Sequence, residues 1–493
     1  MPGEEELIQL RREKLARLRA RGIDPYPPRT ERTHTAAAAV AAYEQWETAG
    51  SAGDAPFGTV TGRVTASRDM GKSTFIDVRD GSDRIQCFIK QSIVGEEAYA
   101  GLADLDLGDF IGVSGPLMRT RAGEVSVEAR AITVLAKTLR PPPEKWHCIE
   151  DVEIRYRQRY LDLMSDADVR AIFRTRAAVI AAMRRYFDGR GFMEVETPVL
   201  QAEAGGAAAT PFETHHRALD QDFFLRISLE LHLKRLIIGG YDKVYEIGRI
   251  FRNEGVSWKY NPEFTMLESY EAYADYNDVA RMVEEMISSI AQHVLGTTSV
   301  QFGEHALDLA PPWHRVTMRD ALIEHAGIDF TEFRTRDKLL EELQRRGFAV
   351  DPASSWAKLL DEAVSHYVEP KLIQPTFLLD YPVEISPLAK SKPGSPGLVE
   401  RFEFFIAGFE MGNAYSELND PIDQRQRLET QVRLAAAGEE EVETLDEDFL
   451  IAMEHGMPPA GGLGIGIDRL VMILTGQTSI REVILFPLLR RRE

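Results

Sequence analysis

Short segments in which apolar and polar residues alternate fill the region from Gly58 to about Leu139. They read TVTGRVTA, STFIDVRD, RIQCFIK, DFIGVSGPLM and EVSVEARAITVL, and turn-forming pairs such as Asp80-Gly81 separate them. Because side chains two positions apart on a strand share a face, this alternation predicts half-buried β-strands. Five strands within about eighty residues favour a small barrel of the OB type.

Helical spacing of apolar residues dominates on either side of this region. Residues 4–21 predict a helix that ends at Gly22, and a stripe from Val169 to Phe187 predicts a longer helix over residues 168–190. The strand FMEVETPVL follows that helix, and the run Pro141-Pro142-Pro143 predicts a stiff linker before it. The predicted domains are a helical extension (1–55), the barrel (56–140), a linker (141–154) and a larger domain (155–493) with a helical insert at about 315–373.

The segment FRNEG…KYNPEFTMLESY, from Phe251 to Tyr270, predicts a β-hairpin with unusual polarity. Alternation runs through both ends, and the Gly, Ser, Asn and Pro residues between them suit a turn. One surface of the hairpin would present Arg252, Glu254, Phe264, Glu268 and Tyr270. Buried charges are costly unless they are paired, so a purely structural hairpin would carry apolar residues there. The pattern favours a site with a guanidinium for phosphate, a ring for a base and carboxylates for an ammonium group.

Three further groups of residues in the second half suit the same chemistry. Glu403 and Glu410 flank Gly408 in a β-rich segment, and paired carboxylates are oxygen ligands suited to Mg²⁺, although an exposed glutamate pair is the simpler interpretation. Asn413, Tyr415 and Glu417 alternate along one predicted strand face, where Glu417 could join Glu268 in an acidic pocket for a cation. The glycines of GGLGIGIDRL allow backbone to approach a ligand, and Arg469 could cover a base or a phosphate.

Composition limits the class of protein. The chain has 493 residues, 44% hydrophobic and 28% charged, which predicts a soluble globular protein of at least two domains. Two cysteines exclude a disulfide framework, no stretch approaches a membrane span, and we expect a cytoplasmic protein. A net charge of −20 argues against indiscriminate nucleic-acid binding. The basic run between Arg11 and Arg21 fits a solvated helix and a backbone-phosphate contact equally well.

These segments together resemble a class II lysyl-tRNA synthetase of the bacterial type over nearly the whole chain. GFMEVETPVL, FRNEG…NPEFTMLESY and GLGIGIDRL resemble the three signature motifs of that class, in order. GGAAATPF, LELHLKR and MGNAYSELND resemble its lysine-specific branch. The resemblance implies an α+β fold: a class II antiparallel sheet flanked by helices, with an N-terminal OB-type barrel. It also implies a homodimer that uses ATP and Mg²⁺ to attach L-lysine to tRNA(Lys) through lysyl-adenylate.

The resemblance also implies roles for individual residues. Arg252 and Arg469 would be the catalytic residues, since they stabilise charge on the phosphates. The residues implied to bind ATP are Arg252, Glu254, Lys259, Asn261, Phe264 and Arg469. Those implied to bind lysine are Gly206, Glu230, Glu268, Tyr270, Asn413, Tyr415 and Glu417. Glu403 and Glu410 would hold Mg²⁺. Those implied to read the anticodon are Arg68, Phe75, Gln86 and Glu124.

The chain departs from the family pattern where the terminal phosphate of ATP would bind. Tyr260 stands where many relatives have histidine, and Thr210 and Arg217 stand where arginine and asparagine are common. Lys259 could supply the positive charge instead. Two other functions remain open: a paralogue that lysylates a protein, and a non-catalytic RNA-binding protein. The barrel disfavours the first, and the presence of Arg252, Glu403, Glu410 and Arg469 disfavours the second.

Overall fold

The structure is a computed structural model that describes residues 3–143, 149–436 and 445–490. The chain divides into two compact units, Met1–Glu150 and Asp151–Glu493. The first has a single core cluster, whereas the second has a large core beneath its main sheet and another within its helical insert. No helix of the described residues is long and apolar enough to span a membrane.

The first unit is an OB-type barrel, as predicted. Its strands are β1 (Phe57–Asp69), β2 (Ser73–Arg79), β3 (Arg84–Lys90), β4 (Phe110–Arg119), β5 (Val125–Glu128) and β6 (Ala131–Ala136). They pair in the order β1-β2-β3-β5-β4-β6, and an additional β1–β4 pairing closes the sheet. The last predicted strand is divided into β5 and β6, because Ala129 N–H donates to Phe88 while Arg130 N–H donates to Ser114 on the other neighbouring strand.

The helices of the first unit are α1 (Glu4–Ala20), α2 (Ala36–Thr48), α3 (Gln91–Val94) and α4 (Glu96–Ala100), followed by a 3₁₀ helix (Gly101–Asp104). The basic run lies on α1 and is largely used within this unit. Lys14 Nζ lies 2.7 Å from Asp106, Arg17 Nε lies 2.8 Å from Asp104, and Arg11 donates to Thr138 Oγ1 at 2.7 Å. For these three residues the structure supports a packing role rather than a free phosphate-binding surface.

The second unit is built on a large mixed sheet, with two smaller sheets beside it, β8-β10-β9 and β13-β14. The strands of this unit are β7 (Met193–Glu194), β8 (Leu200–Gln201), β9 (Glu213–His216), β10 (Gln221–Leu225), β11 (Lys243–Phe251), β12 (Glu263–Ala272), β13 (Ser299–Phe302), β14 (His305–Asp308), β15 (His314–Thr317), β16 (Thr376–Leu379), β17 (Arg401–Ile406), β18 (Phe409–Ser416) and β19 (Ala460–Gly466). The main sheet has the order β15-β16-β17-β18-β19-β12-β11-β7 and is antiparallel except for its outermost pairs, β15–β16 and β11–β7.

Helices cover this sheet and form the insert. They are α5 (Val152–Arg157), α6 (Arg159–Ser165), α7 (Ala167–Gly189), α8 (Glu230–Ile238), α9 (Tyr276–Leu295), α10 (Met318–Ala326), α11 (Arg336–Arg345), α12 (Trp356–Tyr367), α13 (Pro421–Ala436), α14 (Glu447–Glu454), α15 (Ile467–Thr475) and α16 (Ile480–Val483), with 3₁₀ helices at Glu369–Lys371 and Val383–Ile385. The apolar faces of α7, α9 and α15 pack into one core against the sheet, through residues such as Met183, Val283 and Val471.

Two predicted strands are shorter than expected. In FMEVETPVL only Met193 and Glu194 pair with β11, and the chain then leaves the sheet toward Pro198. The predicted hairpin is formed by β11 and β12, but β11 ends at Phe251, so Arg252 and Glu254 lie in the connecting loop. The chain leaves the ladder there because Asn253 N–H donates to Thr210 rather than to β12.

Candidate active site

A cavity of 740 Å³ lies over the centre of the main sheet. Most residues predicted for ATP, lysine or metal line it: Gly206, Glu230, Arg252, Glu254, Asn261, Phe264, Glu268, Tyr270, Glu403, Glu410, Asn413, Tyr415 and Arg469. Two do not line it, Lys259 and Glu417. Lys259 Nζ lies over the rings of Trp258 and Phe409, and Glu417 is buried behind the cavity wall. Strands β12, β17 and β18, helices α8 and α15 and the loops between elements therefore bring almost all of these residues into one chamber.

Arg252 and Phe264 face each other at the open end of the hairpin. The Arg252 guanidinium carbon lies 5.4 Å from the centroid of the Phe264 ring, and Arg252 N–H donates to Pro262 O at 2.9 Å. In the described part of the chain, Arg252 forms no ion pair with a carboxylate. A guanidinium that lines a cavity without a carboxylate partner is suited to an anionic ligand.

Arg469 is fixed by neighbours on three sides. It donates to the backbone oxygen of Glu410 and, at 3.3 Å, to Glu410 Oε2, and its guanidinium lies over the Tyr260 ring at 5.6 Å. The preceding residue, Asp468, is buried and accepts from Arg176 at 2.6 Å and from Thr265 N–H at 2.6 Å. One carboxylate thus joins α7, β12 and α15 directly beside Arg469.

Glu403 and Glu410 lie on neighbouring strands of the β17–β18 hairpin. Glu403 accepts from Arg401 at 2.7 Å and from Tyr381 OH at 2.9 Å. Burial raises the pKa of Glu403 to about 7; Arg401 opposes this rise, while the Glu410 charge adds to it. Among the described residues no group of three or more His, Cys, Asp or Glu side chains could hold a metal, so a metal bound by Glu403 and Glu410 would need further ligands from outside the protein.

The acidic residues of the cavity wall adjoin a buried lysine, Lys234, which does not itself line the cavity. Lys234 Nζ lies 2.5 Å from Glu230 Oε1 and 2.5 Å from Glu417 Oε2, and the side chain of Lys234 is fully buried. Tyr415 OH donates to the other oxygen of Glu230 at 2.6 Å. The sequence predicts that Glu417 and Glu268 surround a cation of the ligand. It does not show that Glu417 already forms an ion pair with Lys234 of the protein.

Glu268 is held by uncharged donors. It accepts from Ser228 Oγ at 3.0 Å, Leu229 N–H at 2.9 Å and Tyr270 OH at 3.3 Å. Burial, followed by the nearby Glu230 charge, raises the pKa of Glu268 to about 7, and these three hydrogen bonds oppose the rise. A cationic ligand at this end would favour the ionised form of Glu268, and the ionised carboxylate would in turn attract the ligand.

Two glycines allow neighbouring side chains of this acidic group to pack directly against the backbone. A Cβ at Gly462 on β19 would lie 1.9 Å from Glu417 Oε1, and one at Gly206, whose φ is +82°, would lie 3.1 Å from Ser228 Oγ. Both Glu417 carboxylate oxygens are buried, and Oε1 has neither an ion-pair nor a hydrogen-bond partner among the described residues. The absence of a side chain at Gly462 therefore allows the Glu417 carboxylate to lie directly against the β19 backbone.

The residues predicted to read bases lie together on the barrel. Phe75 on β2 pairs in register with Arg68 and stacks on Phe88, with ring centroids 4.5 Å apart. Gln86 Nε2 donates to Glu124 at 3.0 Å. Phe75 is partly exposed while its neighbours Thr74 and Ile76 are buried, so its ring is on the outer face of the sheet. An exposed ring beside amide and charged groups is typical of single-stranded nucleic-acid binding.

Sequence reasoning missed Lys234, Arg401 and Gly462. Lys234 is four residues after Glu230 on α8, a spacing that places both on one helix face, but the same spacing is common in surface ion pairs. Arg401 contacts Asn413 at 3.0 Å as well as Glu403, and only the strand register of β17 and β18 reveals this. The close approach at Gly462 depends on the packing of three strands.

Comparison with known proteins gives consistent matches in both units. Residues 151–490 match the family described as tRNA synthetases class II (D, K and N), and residues 59–135 match the OB-fold nucleic acid binding domain. Among curated relatives, the lysine–tRNA ligase of Dehalococcoides mccartyi strain 195 is 57% identical over 491 residues, which is 99% of this chain and 98% of that protein.

Two further lysine–tRNA ligases show similar identity. The protein of Chloroflexus aurantiacus is 53% identical and that of Pelotomaculum thermopropionicum 52%, each over 99% of this chain and over 99% and 96% of the relatives. The similarity therefore extends over the barrel, the main sheet and the helical insert alike.

Proposed function

Because this chain belongs to the lysine–tRNA ligases of the class II tRNA synthetases and has their activity, we propose that it forms lysyl-adenylate from ATP and L-lysine in the cavity described above. One observation carries the assignment of the two ends: the cavity is lined both by Arg252, which forms no ion pair with a carboxylate among the described residues, and by the buried carboxylates of Glu230 and Glu268. The first end suits phosphates and a carboxylate, and the second suits ammonium groups.

At the nucleotide end, Arg252 binds the α-phosphate and the carboxylate of lysine. Phe264 and Arg469 enclose the adenine, Glu254 lies near its amino group, and Asn261 orients the loop through its bond to Glu263 O at 2.5 Å. The lysine carboxylate attacks the α-phosphate in line and pyrophosphate leaves. Catalysis then rests on positioning and on preorganised positive charge, without a protein nucleophile.

Lys259 is assigned to the terminal phosphate, although it does not line the cavity. Its charge acts on Glu369, as do the charges of Glu410 and Arg469, so Lys259 is near the same end of the chamber. Tyr260, the residue after Lys259, lines the cavity. A tyrosine cannot supply positive charge, which makes the neighbouring lysine the available group.

Glu403 and Glu410 fit a Mg²⁺ site shared with ATP. Both line the cavity. Burial and then the Glu410 charge raise the pKa of Glu403 against the opposing charge of Arg401, and a divalent cation beside both carboxylates would favour their ionised forms. Two carboxylates suffice when phosphate oxygens and water complete the shell, as is usual for Mg²⁺. When bound, Mg²⁺ neutralises phosphate charge; Arg401 holds Glu403 in place for it.

At the acidic end, Glu230 and Gly206 receive the α-amino group of lysine, while Glu268, Tyr270, Tyr415 and Glu417 surround its side chain. Asn413, which Arg401 orients, binds the carboxylate together with Arg252. A neutral side chain in this pocket would leave buried carboxylates without a cation, and that is strongly unfavourable. Lysine is therefore preferred over aspartate, asparagine and glutamine.

The remaining assignments concern tRNA and assembly. Residues 56–140 read the anticodon of tRNA(Lys) through Arg68, Phe75, Gln86 and Glu124, and the terminal ribose of the tRNA attacks the adenylate. The exposed apolar side chains of Met193, Val199 and Leu200, directly after α7, support a homodimer, which sedimentation at micromolar protein would test. A role in translation places the protein in the cytoplasm.

Lysine-dependent ATP–pyrophosphate exchange, followed by charging of purified tRNA, tests the proposal. Glu417→Gln should raise the lysine KM far more than the ATP KM. Glu271→Gln is the matched control, because Glu271 pairs with Lys243 at 2.7 Å and does not line the cavity. An unchanged lysine KM in Glu417→Gln, or activation of aspartate at a rate matching lysine, would refute the pocket assignment.

A further inference from the structure

The buried ion triad Glu230–Lys234–Glu417 is not needed to form α8. Lys234 is at an internal position of that helix, and an uncharged residue would serve its backbone equally well. Its ammonium instead lies between two carboxylates from distant parts of the chain, and over the rings of Tyr415 and Phe449 at 5.4 and 5.8 Å. A triad buried at this depth is rarely favourable for stability alone.

The charges in this pocket are unequal without a ligand. Three buried carboxylates, those of Glu230, Glu268 and Glu417, meet a single ammonium, and among the described residues no other basic side chain forms an ion pair with any of the three. L-Lysine brings two ammonium groups, while its own carboxylate is assigned to Arg252. Lys234 and the two substrate ammonium groups would then match the three carboxylates one for one.

Lys234 also determines where the Glu417 carboxylate points. It holds Oε2, and Oε1 is left without a hydrogen-bond partner on the side of Gly462, where a Cβ would lie 1.9 Å away. Through Oε1 of Glu230 it fixes that carboxylate as well, while Tyr415 holds the other oxygen. Both lysine-binding carboxylates are therefore oriented by one side chain of the protein.

We propose that Lys234 is a positioning residue for the substrate, which aims Glu230 and Glu417 at the two ammonium groups of lysine and balances the charge of the occupied pocket. The proposal rests on the proposed lysine site. Lys234 does not contact the reacting atoms. Loss of Lys234 would therefore change lysine binding and the protonation of the pocket carboxylates but not ATP binding.

The titratable groups that face Lys234 determine how lysine binding depends on pH. They are Glu230 on its own helix, Tyr415 and Glu417 from the β18 segment and, beyond them, Glu268 and Tyr270 of β12, while α14 contributes the uncharged ring of Phe449. Burial raises the pKa of Glu417, and the Lys234 charge opposes that rise. Without this charge the Glu417 carboxyl should stay protonated to a higher pH, and a protonated carboxyl does not attract ammonium.

The test measures lysine KM, ATP KM and kcat by ATP–pyrophosphate exchange between pH 6 and 9. In the full-length enzyme, lysine KM should rise as pH falls toward and below neutrality. In Lys234→Met, lysine KM should increase about 10- to 100-fold, the range usual when a group that orients a binding side chain is lost. The acidic limb of the profile, which is the pH range over which lysine KM rises as pH falls, should also move up by about 1–3 pH units. ATP KM should stay within about twofold.

Lys234→Arg and Lys243→Met are the comparisons. Arginine keeps the positive charge, so the acidic limb of Lys234→Arg should stay at the native pH even if its lysine KM rises. If Lys234→Met does not fold, the pH profile of Lys234→Arg tests the proposal. Lys243→Met removes the partly exposed lysine that pairs with Glu271, and it should change neither the lysine KM nor the pH of the acidic limb. A purely structural role predicts an unmoved limb with ATP and lysine KM rising together, and that result would overturn the proposal.

Failure of the pocket assignment is distinguishable from failure of this proposal. If Glu417→Gln and Lys234→Met both leave lysine KM unchanged, the pocket is misassigned and both proposals fall. If Glu417→Gln raises lysine KM but Lys234→Met leaves both KM and the pH limb unchanged, the pocket stands and Lys234 has no positioning role. A native enzyme without an acidic limb would also overturn the charge-balance argument.

Discussion

One added methyl group should close the acidic end of the cavity. Gly462 on β19 pairs with Tyr270 on one side and Tyr415 on the other. A Cβ there would lie 1.9 Å from Glu417 Oε1 and 2.7 Å from a ring carbon of Tyr270. Because real Cβ atoms essentially never approach a heavy atom within 3.0 Å, the carboxylate oxygen must withdraw by about 1.1 Å in Gly462→Ala.

A displacement of this size has a known order of effect. Misplacing a positioning group by about 1 Å commonly costs about a hundredfold in rate. We therefore expect kcat/KM for lysine to fall about a hundredfold in Gly462→Ala, with ATP KM within about twofold of the native value. ATP–pyrophosphate exchange, with lysine varied at saturating ATP and then ATP varied at saturating lysine, separates the two.

The adjacent glycine provides a matched control. A Cβ at Gly461 would lie 2.7 Å from Val279 Cγ2, on the core-facing side of the sheet. Gly461→Ala should lower the stability by about 1–3 kcal/mol through overpacking, and hence Tm, without changing lysine KM. An unaltered kcat/KM for lysine in Gly462→Ala would refute the reasoning. An equal fall in both variants would show that the methyl group acts through the sheet rather than through the pocket.

Three other predictions test the rest of the site. Arg252→Ala should slow adenylation at least about a hundredfold, since it removes a preorganised charge stabiliser, and near-normal exchange by the folded variant would exclude that role. Phe75→Ala should weaken tRNA(Lys) binding by about 1–3 kcal/mol, through lost stacking, and leave pyrophosphate exchange nearly unchanged; an equal loss in both assays would contradict it. Lysine KM should rise as pH falls through about 7, where protonation of Glu268 adds to the effect of Glu417; Glu268→Gln should weaken that dependence, and an unchanged profile would assign it to Glu417 alone.

The elements that alternation and helical spacing define were predictable from the sequence. The barrel strands, the long helix α7 and the β11–β12 hairpin all follow from local patterns, and the structure confirms them. The strand after α7 was wrong in length, because its two paired residues depend on β11, fifty residues further on. Local pattern carries no information about such a neighbour.

The chemistry of the site was predictable only in part. Arg252, Glu268 and Arg469 are polar in apolar surroundings, and this contrast is visible in the sequence. Lys234 gave no such signal, since a lysine four residues after a glutamate is typical of a solvated helix. Its burial follows from the packing of α14 and the β18 segment over α8, which joins parts of the chain about two hundred residues apart.

The order of strands in the main sheet has a consequence for synthesis of the protein. β19 is the last strand along the chain, yet it lies between β18 and β12 and joins the two halves of the sheet. Until residues 460–466 have been made, both neighbours present unpaired backbone edges, which are templates for intermolecular strand pairing. Premature termination before this point would leave an incomplete sheet prone to aggregation, so a frameshift late in the gene should yield insoluble product rather than a partly active enzyme.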